Sequence, residues 1–203
     1  MIYIMTMQLV FATRNKDKIR EIREILRGLP VEILDAGDFL DMPEVIEDGA
    51  TCEDNALKKA REVCRFTGLP ALADDSGIFV DVLDGVPGVY SSRYAGPDCS
   101  YDDNNRKLLR EMEGIPADKR NAYFLCIAVL VMPDGREFVC RGELHGKIAN
   151  EPRGENGFGY DPVFELPDGR TVAQLSLDDK NRISHRAKAF RAIREVIKSR
   201  FKD

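Results

Sequence analysis

The sequence has no long hydrophobic run and no excess of positive charge. Its longest apolar stretch lies within residues 122–132, which is far too short to span a bilayer. The net charge of −5 argues against a surface that wraps nucleic acid. The chain begins without a basic segment or a small-residue cleavage site, so no signal peptide is predicted. These absences predict a cytoplasmic protein that binds neither membranes nor nucleic acid.

Cysteine is scarce and scattered. Five cysteines lie at positions 52, 64, 99, 126 and 140, and because no pair has zinc-ligand spacing we expect reduced thiols. The sequence contains no internal repeat, low-complexity segment or Pro/Gly linker long enough to divide it. We therefore predict a single domain over residues 1–203. Met7 directly precedes the first strand pattern, so residues 1–6 are predicted to be a dispensable extension.

The spacing of apolar residues alternates between strand and helix periods in the first half of the chain. Helices are predicted to begin at Asn15, Thr51, Ser100 and Ser184, which are residue types that cap helices. Strands are predicted at residues 8–13, 31–34, 71–74, 78–83, 122–132, 136–144, 162–165 and 171–174. The later strands flank Pro-Asp-Gly turns, which indicate hairpins. This order predicts an α/β fold with a long mixed β-sheet flanked by helices.

Thr13, Asn15 and Lys18 lie where the first predicted strand leads into the first predicted helix. The N–H groups and the dipole of a helix N-terminus favour a phosphate group, and Thr13 and Asn15 add hydrogen-bond donors. The segment does not have the spacing of a Walker A loop. The alternative is an ordinary capped surface helix with solvated lysines.

Two adjacent carboxylates, Asp74 and Asp75, follow an apolar strand and precede Ser76. Like charges at such a position repel each other and lose solvation, a cost that a divalent cation would relieve. Successive strand residues point to opposite faces, so one aspartate would bind the metal while the other supports it. The alternative is an Asx-type turn that closes the strand.

Glu47 lies in a polar loop, and Lys59 lies in the helix that follows. The carboxylate of Glu47 offers a second hard oxygen ligand for the cation. Asn55 and Lys59 are four residues apart and share one helix face, from which the ammonium group could reach a phosphate. For each of these residues alone, a solvated charged face explains the pattern as well.

A glycine-rich segment and a basic helix start offer contacts for a planar ligand. The glycines on either side of Phe158 let the backbone approach a ring closely. Phe158 could stack on a nucleobase, and Asp161 could accept hydrogen bonds from ring N–H groups. Lys180, His185 and Arg186 are donors near the start of the last predicted helix. A turn before a strand and a solvated helix start are the alternatives.

Six segments occur together in the order found in one known family. They read ATRNKDK, EDG with EDNALKKA, ADDSG, GVPGVYSSRYAG, GFGYDPVF and KNRISHRAKAF. On these segments the chain from Met7 onward resembles the inosine/xanthosine triphosphate pyrophosphatases, also called the Ham1-like family. The resemblance implies hydrolysis of ITP, dITP and XTP to the nucleoside monophosphate and pyrophosphate, which cleanses the nucleotide pool.

The resemblance also implies roles for individual residues and an assembly. Asp75 is implied as the catalytic residue and Glu47 as a ligand of Mg²⁺, with Mn²⁺ as a substitute. The second ligand is expected from the pair Asp74 and Asp75, and the sequence leaves open which of the two it is. The implied substrate contacts are Thr13, Asn15, Lys18, Lys59, Ser76, Phe158, Gly159, Tyr160, Asp161, Lys180, His185 and Arg186. The implied fold has two lobes with the active site in the cleft between them, and the implied assembly is a homodimer.

Two other functions stay open on the sequence alone. One is a related pyrophosphatase that acts on other modified nucleotides, such as the Maf-like proteins, which a panel of substrates would separate. The other is a nucleotide-binding module that would bind the triphosphate and release no pyrophosphate. Asp75 and Glu47 argue against the second function, because a module that only binds does not need these carboxylates.

Overall fold

The sheet is built from six strands in a computed structural model that describes residues 6–199. The strands are β1 (Met7–Phe11), β2 (Val31–Asp35), β3 (Ala71–Val80), β4 (Asn121–Val131), β5 (Glu137–Ile148) and β6 (Phe164–Glu165). Their order in the sheet is β2-β1-β3-β4-β5-β6. β1 pairs in parallel with β2 and β3, whereas β5 and β6 pair antiparallel. The prediction of a mixed sheet is confirmed.

The helices begin at the residues whose side chains cap them. Asn15 accepts hydrogen bonds from two backbone N–H groups of the first helical turn, and Thr51 and Ser100 each form a capping box. Ser184 separates the last two helices. The helices are α1 (Lys16–Ile25), α2 (Cys52–Thr67), α3 (Tyr101–Glu111), α4 (Leu177–Ile183) and α5 (His185–Ser199). Within residues 6–199, none of them is long and apolar enough to cross a bilayer.

The chain divides into two compact units, and the first has a core of strand and helix residues. Unit 1 comprises the described residues up to Asp75, Cys126–Arg141 and the described residues from Arg186 onward. Phe11 and Phe190 meet edge to face in its core, with ring centroids 5.8 Å apart. The apolar spacing of the last helix predicts core positions at 190, 193, 197 and 201. The first three are buried, and position 201 lies outside the described residues.

Unit 2 comprises Ser76–Leu125 and Gly142–His185 and has a separate apolar core. Phe124 and Phe164 lie at its centre with ring centroids 4.4 Å apart, and Ile78, Leu108 and Met112 are fully buried around them. α3 and α4 belong to this unit. β3, β4 and β5 each contribute residues to both units. The single domain over residues 1–203 stays a prediction.

Two predictions of local structure are wrong. β3 runs without interruption from Ala71 to Val80, whereas two separate strands were predicted at residues 71–74 and 78–83. Gly77 serves a close backbone contact there, since a Cβ atom would lie 2.3 Å from the carbonyl oxygen of Gly88.

The second error concerns the last predicted strands. Of residues 162–165, only Phe164–Glu165 is a strand, and residues 171–174 contain one isolated bridge and a short 3₁₀ helix. Thr171 and Gln174 form a capping box, which competes with extended pairing. α4 was not predicted, although Ser176 caps it through the backbone N–H of Asp179. The helix has only seven residues, too few for a clear apolar period.

Candidate active site

The segment that was predicted to bind phosphate forms a tightly capped helix start. The Oδ1 of Asn15 accepts from the backbone N–H groups of Asp17 and Lys18 over 3.0 and 3.2 Å. The hydroxyl of Thr13 accepts from the backbone N–H of Asn15. This part of the sequence therefore folds locally as predicted, with Lys18 on the first turn of α1.

The buried carboxylate of Asp74 lies in a network of charged side chains. Its carboxylate is 1% exposed and lies 3.1 Å from Nζ of Lys18 and 3.2 Å from the guanidinium of Arg186. The other side of the Arg186 guanidinium donates to Glu21 over 2.9 Å. Burial raises the pKa of Asp74, but Lys18, Arg186 and Lys59 outweigh that effect and hold it well below its usual range. Asp74 is therefore ionised and charge-balanced.

Glu21 is a site residue that sequence reasoning missed. It lies in α1, three residues after Lys18, and is 1% exposed. Its neighbours Ile19 and Ile22 belong to the buried face of the same helix. A carboxylate beside the apolar positions of an amphipathic helix was the available signal, because buried acidic groups need a cationic partner.

Asp75, the next residue of β3, has different partners. Asn55 donates to its carboxylate over 3.2 Å, and Nζ of Lys59 lies 4.0 Å away. The same Nζ donates to Glu47 over 2.8 Å and to the backbone oxygen of Asp74 over 2.7 Å. One ammonium group therefore contacts both Glu47 and Asp75 and also donates to the backbone oxygen of Asp74.

The two ionisable groups at the centre of this arrangement have shifted pKa values. Burial raises the pKa of Asp75, Lys59 opposes the shift, Glu47 adds to it, and the net direction is upward. Burial lowers the pKa of Lys59, but the carboxylates of Glu47, Asp75 and Asp74 outweigh it and the pKa rises. Lys59 is thus a permanent cation at neutral pH, and Asp75 is a stronger proton acceptor than an exposed aspartate.

The donor set fits a divalent cation that takes further ligands from its substrate. Among residues 6–199, no three His, Cys, Asp or Glu side chains come together as a metal site. Glu47 and Asp75 nevertheless offer two hard carboxylates around one point, and Mg²⁺ is commonly held by one or two carboxylates plus phosphate oxygens and water. Asp74 does not fit the predicted role of a ligand, because Lys18 and Arg186 bind its carboxylate in a buried position.

The glycine-rich segment of unit 2 forms a compact polar loop. Oδ2 of Asp161 accepts from the backbone N–H of Phe158 over 2.9 Å and from Nζ of Lys180 over 2.6 Å. The same Nζ lies 4.4 Å from the centroid of the Phe158 ring. Gly157 permits this contact, since a Cβ atom would lie 2.1 Å from Oδ2 of Asp161. The loop therefore brings an aromatic ring, a carboxylate and an ammonium group together.

The remaining predicted contacts are distributed differently from the expectation. The hydroxyl of Tyr160 donates to the backbone of Ser91 and is buried. His185 is buried with its ring stacked 4.7 Å from that of Phe124. Arg186, the next residue, pairs with Asp74 and Glu21. The predicted contacts of Lys180, His185 and Arg186 with the base stay a prediction. Lys180 lies in the separate helix α4 and pairs with Asp161.

Together, a six-stranded mixed sheet and lysines placed among buried carboxylates define an α/β protein whose site is suited to anionic ligands such as phosphates. A family model described as the Ham1 family matches residues 9–196, and the chain belongs to this family.

Individual relatives match the chain over nearly its whole length. It is 53% identical over 189 residues to the dITP/XTP pyrophosphatase of Geobacter sulfurreducens, which covers 93% of this chain and 95% of the relative. The solved structure of a HAM1 protein from Coxiella burnetii superposes with a TM-score of 0.87 at 40% identity, over 95% of this chain and 99% of that one. The Staphylococcus aureus Ham1 protein superposes with a TM-score of 0.86 at 35% identity, over the same shares.

Proposed function

We propose that this chain hydrolyses the non-standard purine nucleoside triphosphates ITP, dITP and XTP to the nucleoside monophosphate and pyrophosphate. The observation that carries the proposal is the cluster of Asp75, Lys59 and Glu47, in which one buried ammonium group contacts two carboxylates. Family membership supports the same activity, since the relative from Geobacter sulfurreducens is a dITP/XTP pyrophosphatase.

Asp75 accepts the proton of the attacking water. Its raised pKa makes it a stronger proton acceptor, and therefore a better general base, than an exposed aspartate. Asn55 donates to one of its carboxylate oxygens, which orients the group and leaves the other oxygen directed toward Lys59. Water attack on the α-phosphorus breaks the bond to the bridging oxygen and releases pyrophosphate.

Lys18 and Lys59 bind the phosphates and balance the charge that moves onto pyrophosphate as the bond breaks. Lys59 is held in place by Glu47 and by the backbone oxygen of Asp74. Thr13, Asn15 and the N-terminus of α1 offer further polar contacts, with Ser76 following Asp75. Glu47 and Asp75 would hold Mg²⁺, which when bound neutralises phosphate charge and polarises the phosphorus.

The loop of unit 2 recognises the base. Phe158 stacks on the purine, and Lys180 donates to the carbonyl oxygen at position 6 that hypoxanthine and xanthine carry. Adenine has an amino group at that position, so a donor would face a donor, which a buried polar site rejects strongly. His185, whose ring stacks on that of Phe124, is included in the proposal as a further base contact. Arg186 donates charge-assisted hydrogen bonds to Asp74. We therefore propose that it positions the Asp74 carboxylate rather than recognises the base.

A homodimer and a cytoplasmic location complete the proposal. The resemblance supports the homodimer, and the composition supports the cytoplasmic location. The mass of the purified protein in sedimentation measurements tests the homodimer. A mass that corresponds to one chain at micromolar concentration would contradict the dimer.

The activity is tested by measuring pyrophosphate release from ITP, dITP, XTP, GTP and ATP, with and without Mg²⁺. We expect release from the first three substrates that depends on Mg²⁺, and little from the last two. The variant Lys180→Met, which removes the charge but keeps a side chain of similar length, should lower the ratio of kcat/KM for ITP over ATP. Inhibition of the enzyme by pyrophosphate should stay unchanged. Binding of ITP without release would support a non-catalytic module, and preference for other modified nucleotides would support a Maf-like specificity.

A further inference from the structure

The loop at residues 157–161 is anchored by a residue outside every motif of the sequence. Asn105 lies in α3, and its Nδ2 donates to the carbonyl oxygen of Gly159 over 3.0 Å. Tyr101, one turn earlier in α3, has its ring centroid 6.0 Å from that of Phe158. We propose that Asn105 is a positioning residue that sets base selectivity by fixing the backbone of this loop. The inference rests on the proposed function of the loop in base recognition.

Folding alone does not explain an amide at position 105. The side chain is 6% exposed, and Oδ1 is buried with no hydrogen-bond partner in the part of the chain that the structure describes. A buried acceptor without a partner destabilises the folded state. A leucine of similar size would avoid this cost, so the use of asparagine is explained by the donor Nδ2 and its contact with Gly159.

The loop needs such an anchor because its own backbone is permissive. Gly157 and Gly159 both have positive φ, at 74° and 64°, and glycine adopts many other conformations at little cost. Phe158 lies between them, and Asp161 is held to Phe158 and Lys180 by hydrogen bonds. Rotation of the Gly159 peptide would therefore move the ring and the carboxylate together. The Asn105 donor opposes that rotation.

The anchor acts on one part of the proposed site only. Phe158, Asp161 and Lys180 contact the base, whereas Lys18, Lys59 and Asp75 act on the phosphates. A change at Asn105 should therefore alter affinity for the base and discrimination between bases. It should leave phosphate affinity and the chemical step nearly unchanged.

The test compares Asn105→Leu and Asn105→Asp with the matched control Arg106→Ala, an exposed neighbour in α3. For both Asn105 variants we expect KM for ITP to rise about tenfold and kcat to stay within about threefold. The ratio of kcat/KM for ITP over ATP should fall about tenfold, and inhibition by pyrophosphate should not change. Arg106→Ala should match the wild type, and the thermal midpoint of Asn105→Leu should equal or exceed that of the wild type.

The aspartate variant gives a readout that a merely structural role would not produce. A protonated carboxyl group can donate to the Gly159 oxygen, whereas a carboxylate cannot. Burial raises the pKa of such a carboxyl, so the ITP-to-ATP ratio of Asn105→Asp should recover as the pH is lowered from about 8 to about 6. The wild type and Arg106→Ala should show no such recovery.

Binding of IMP and AMP, measured by calorimetry, tests the loop without turnover. Folded Asn105 variants with wild-type ratios of IMP to AMP affinity would overturn the inference, as would a parallel loss of pyrophosphate binding. If Asn105→Leu does not fold, the pH dependence of Asn105→Asp decides the question. A wild-type protein that prefers IMP but releases no pyrophosphate from ITP would contradict the proposed hydrolysis and leave the role of Asn105 supported by its variants.

Discussion

Asp74 and Asp75 are neighbours in β3, yet their side chains have opposite electrostatic surroundings. Lys18 and Arg186 contact the Asp74 carboxylate and hold its pKa well below the usual range. Burial raises the pKa of Asp75, and Glu47 adds to the shift. Because successive strand residues alternate between faces, a single step along the chain separates a carboxylate that stabilises the fold from one that is costly to keep ionised and suited to proton transfer.

The largest effect is expected from removing the charge of Asp74. Asp74→Asn should lower the free energy of unfolding by about 3 kcal/mol, because the buried Arg186 and the partly buried Lys18 lose their shared counter-charge. Urea denaturation measures the change. The folded-state pKa of Asp74 is depressed, so its contribution is complete above the ordinary value of 3.8 and is lost as the pH falls below it.

The difference in stability between wild type and Asp74→Asn should therefore shrink on acidification below that value. An Asp74→Asn variant as stable as the wild type at neutral pH would mean that Asp74 does not stabilise the fold. The proposed difference in role between Asp74 and Asp75 would then be contradicted.

Asp75→Asn should have the converse result. Turnover of ITP should fall by at least about 10²-fold, the usual scale for the loss of a general base. The free energy of unfolding should stay equal or rise, because a carboxylate with a raised pKa is costly to keep ionised in the folded state. Steady-state kinetics and urea denaturation of the same preparation measure both. Near-wild-type turnover in a folded variant would remove Asp75 from the catalytic role.

The two lysines sharpen the comparison, since Lys18 pairs with Asp74 and Lys59 lies beside Asp75. Lys18→Ala and Lys59→Ala should each weaken triphosphate binding about ten- to a hundredfold, the scale of one hydrogen bond to a charged group. Binding of inosine should change little, because an ammonium group carries no information about the base. A changed preference between bases with normal triphosphate affinity would place the lysine in another part of the site.

The smallest expected effect is a shift in the pH profile. The hydrogen bond from Asn55 lowers the pKa of Asp75, so Asn55→Ala should raise that pKa further. The acid limb of kcat/KM against pH should then move to higher pH, because the general base must be ionised. Lys58→Ala, on the exposed side of the same helix, serves as the control. A limb that moves to lower pH, or does not move, would argue that Asp75 does not control it.

Local signals in the sequence predicted the helix starts well. Asn15, Thr51 and Ser100 cap helices through contacts only two or three residues away, so the neighbouring residues contain the whole interaction. The same reasoning divided β3 into two strands, whereas Gly77 continues the strand and allows a close contact with the backbone of Gly88. It also missed α4, whose length is shorter than the window in which a helical period can be recognised.

In the candidate site, too, residue types were predicted from the sequence, whereas contacts between distant residues were not. Glu47, Lys59 and Asp75 were predicted from residue type and resemblance, and the structure brings them together around one ammonium group. Glu21 was missed, and Arg186 was expected to contact the base. Their ion pair joins residues 165 positions apart, and nothing in the spacing of either residue indicates such a partner.

The sequence by itself therefore determined the starts of α1, α2, α3 and α5, the mixed order of strands and helices, the apolar faces and the residue types of the site. These depend on interactions within a few residues or on a regular period. Tertiary structure alone decided the different surroundings of Asp74 and Asp75, the pairing of Arg186 with Glu21, and the contact of Asn105 with Gly159. Charge compensation and desolvation depend on which groups meet in space, and in this protein those groups come from distant parts of the chain.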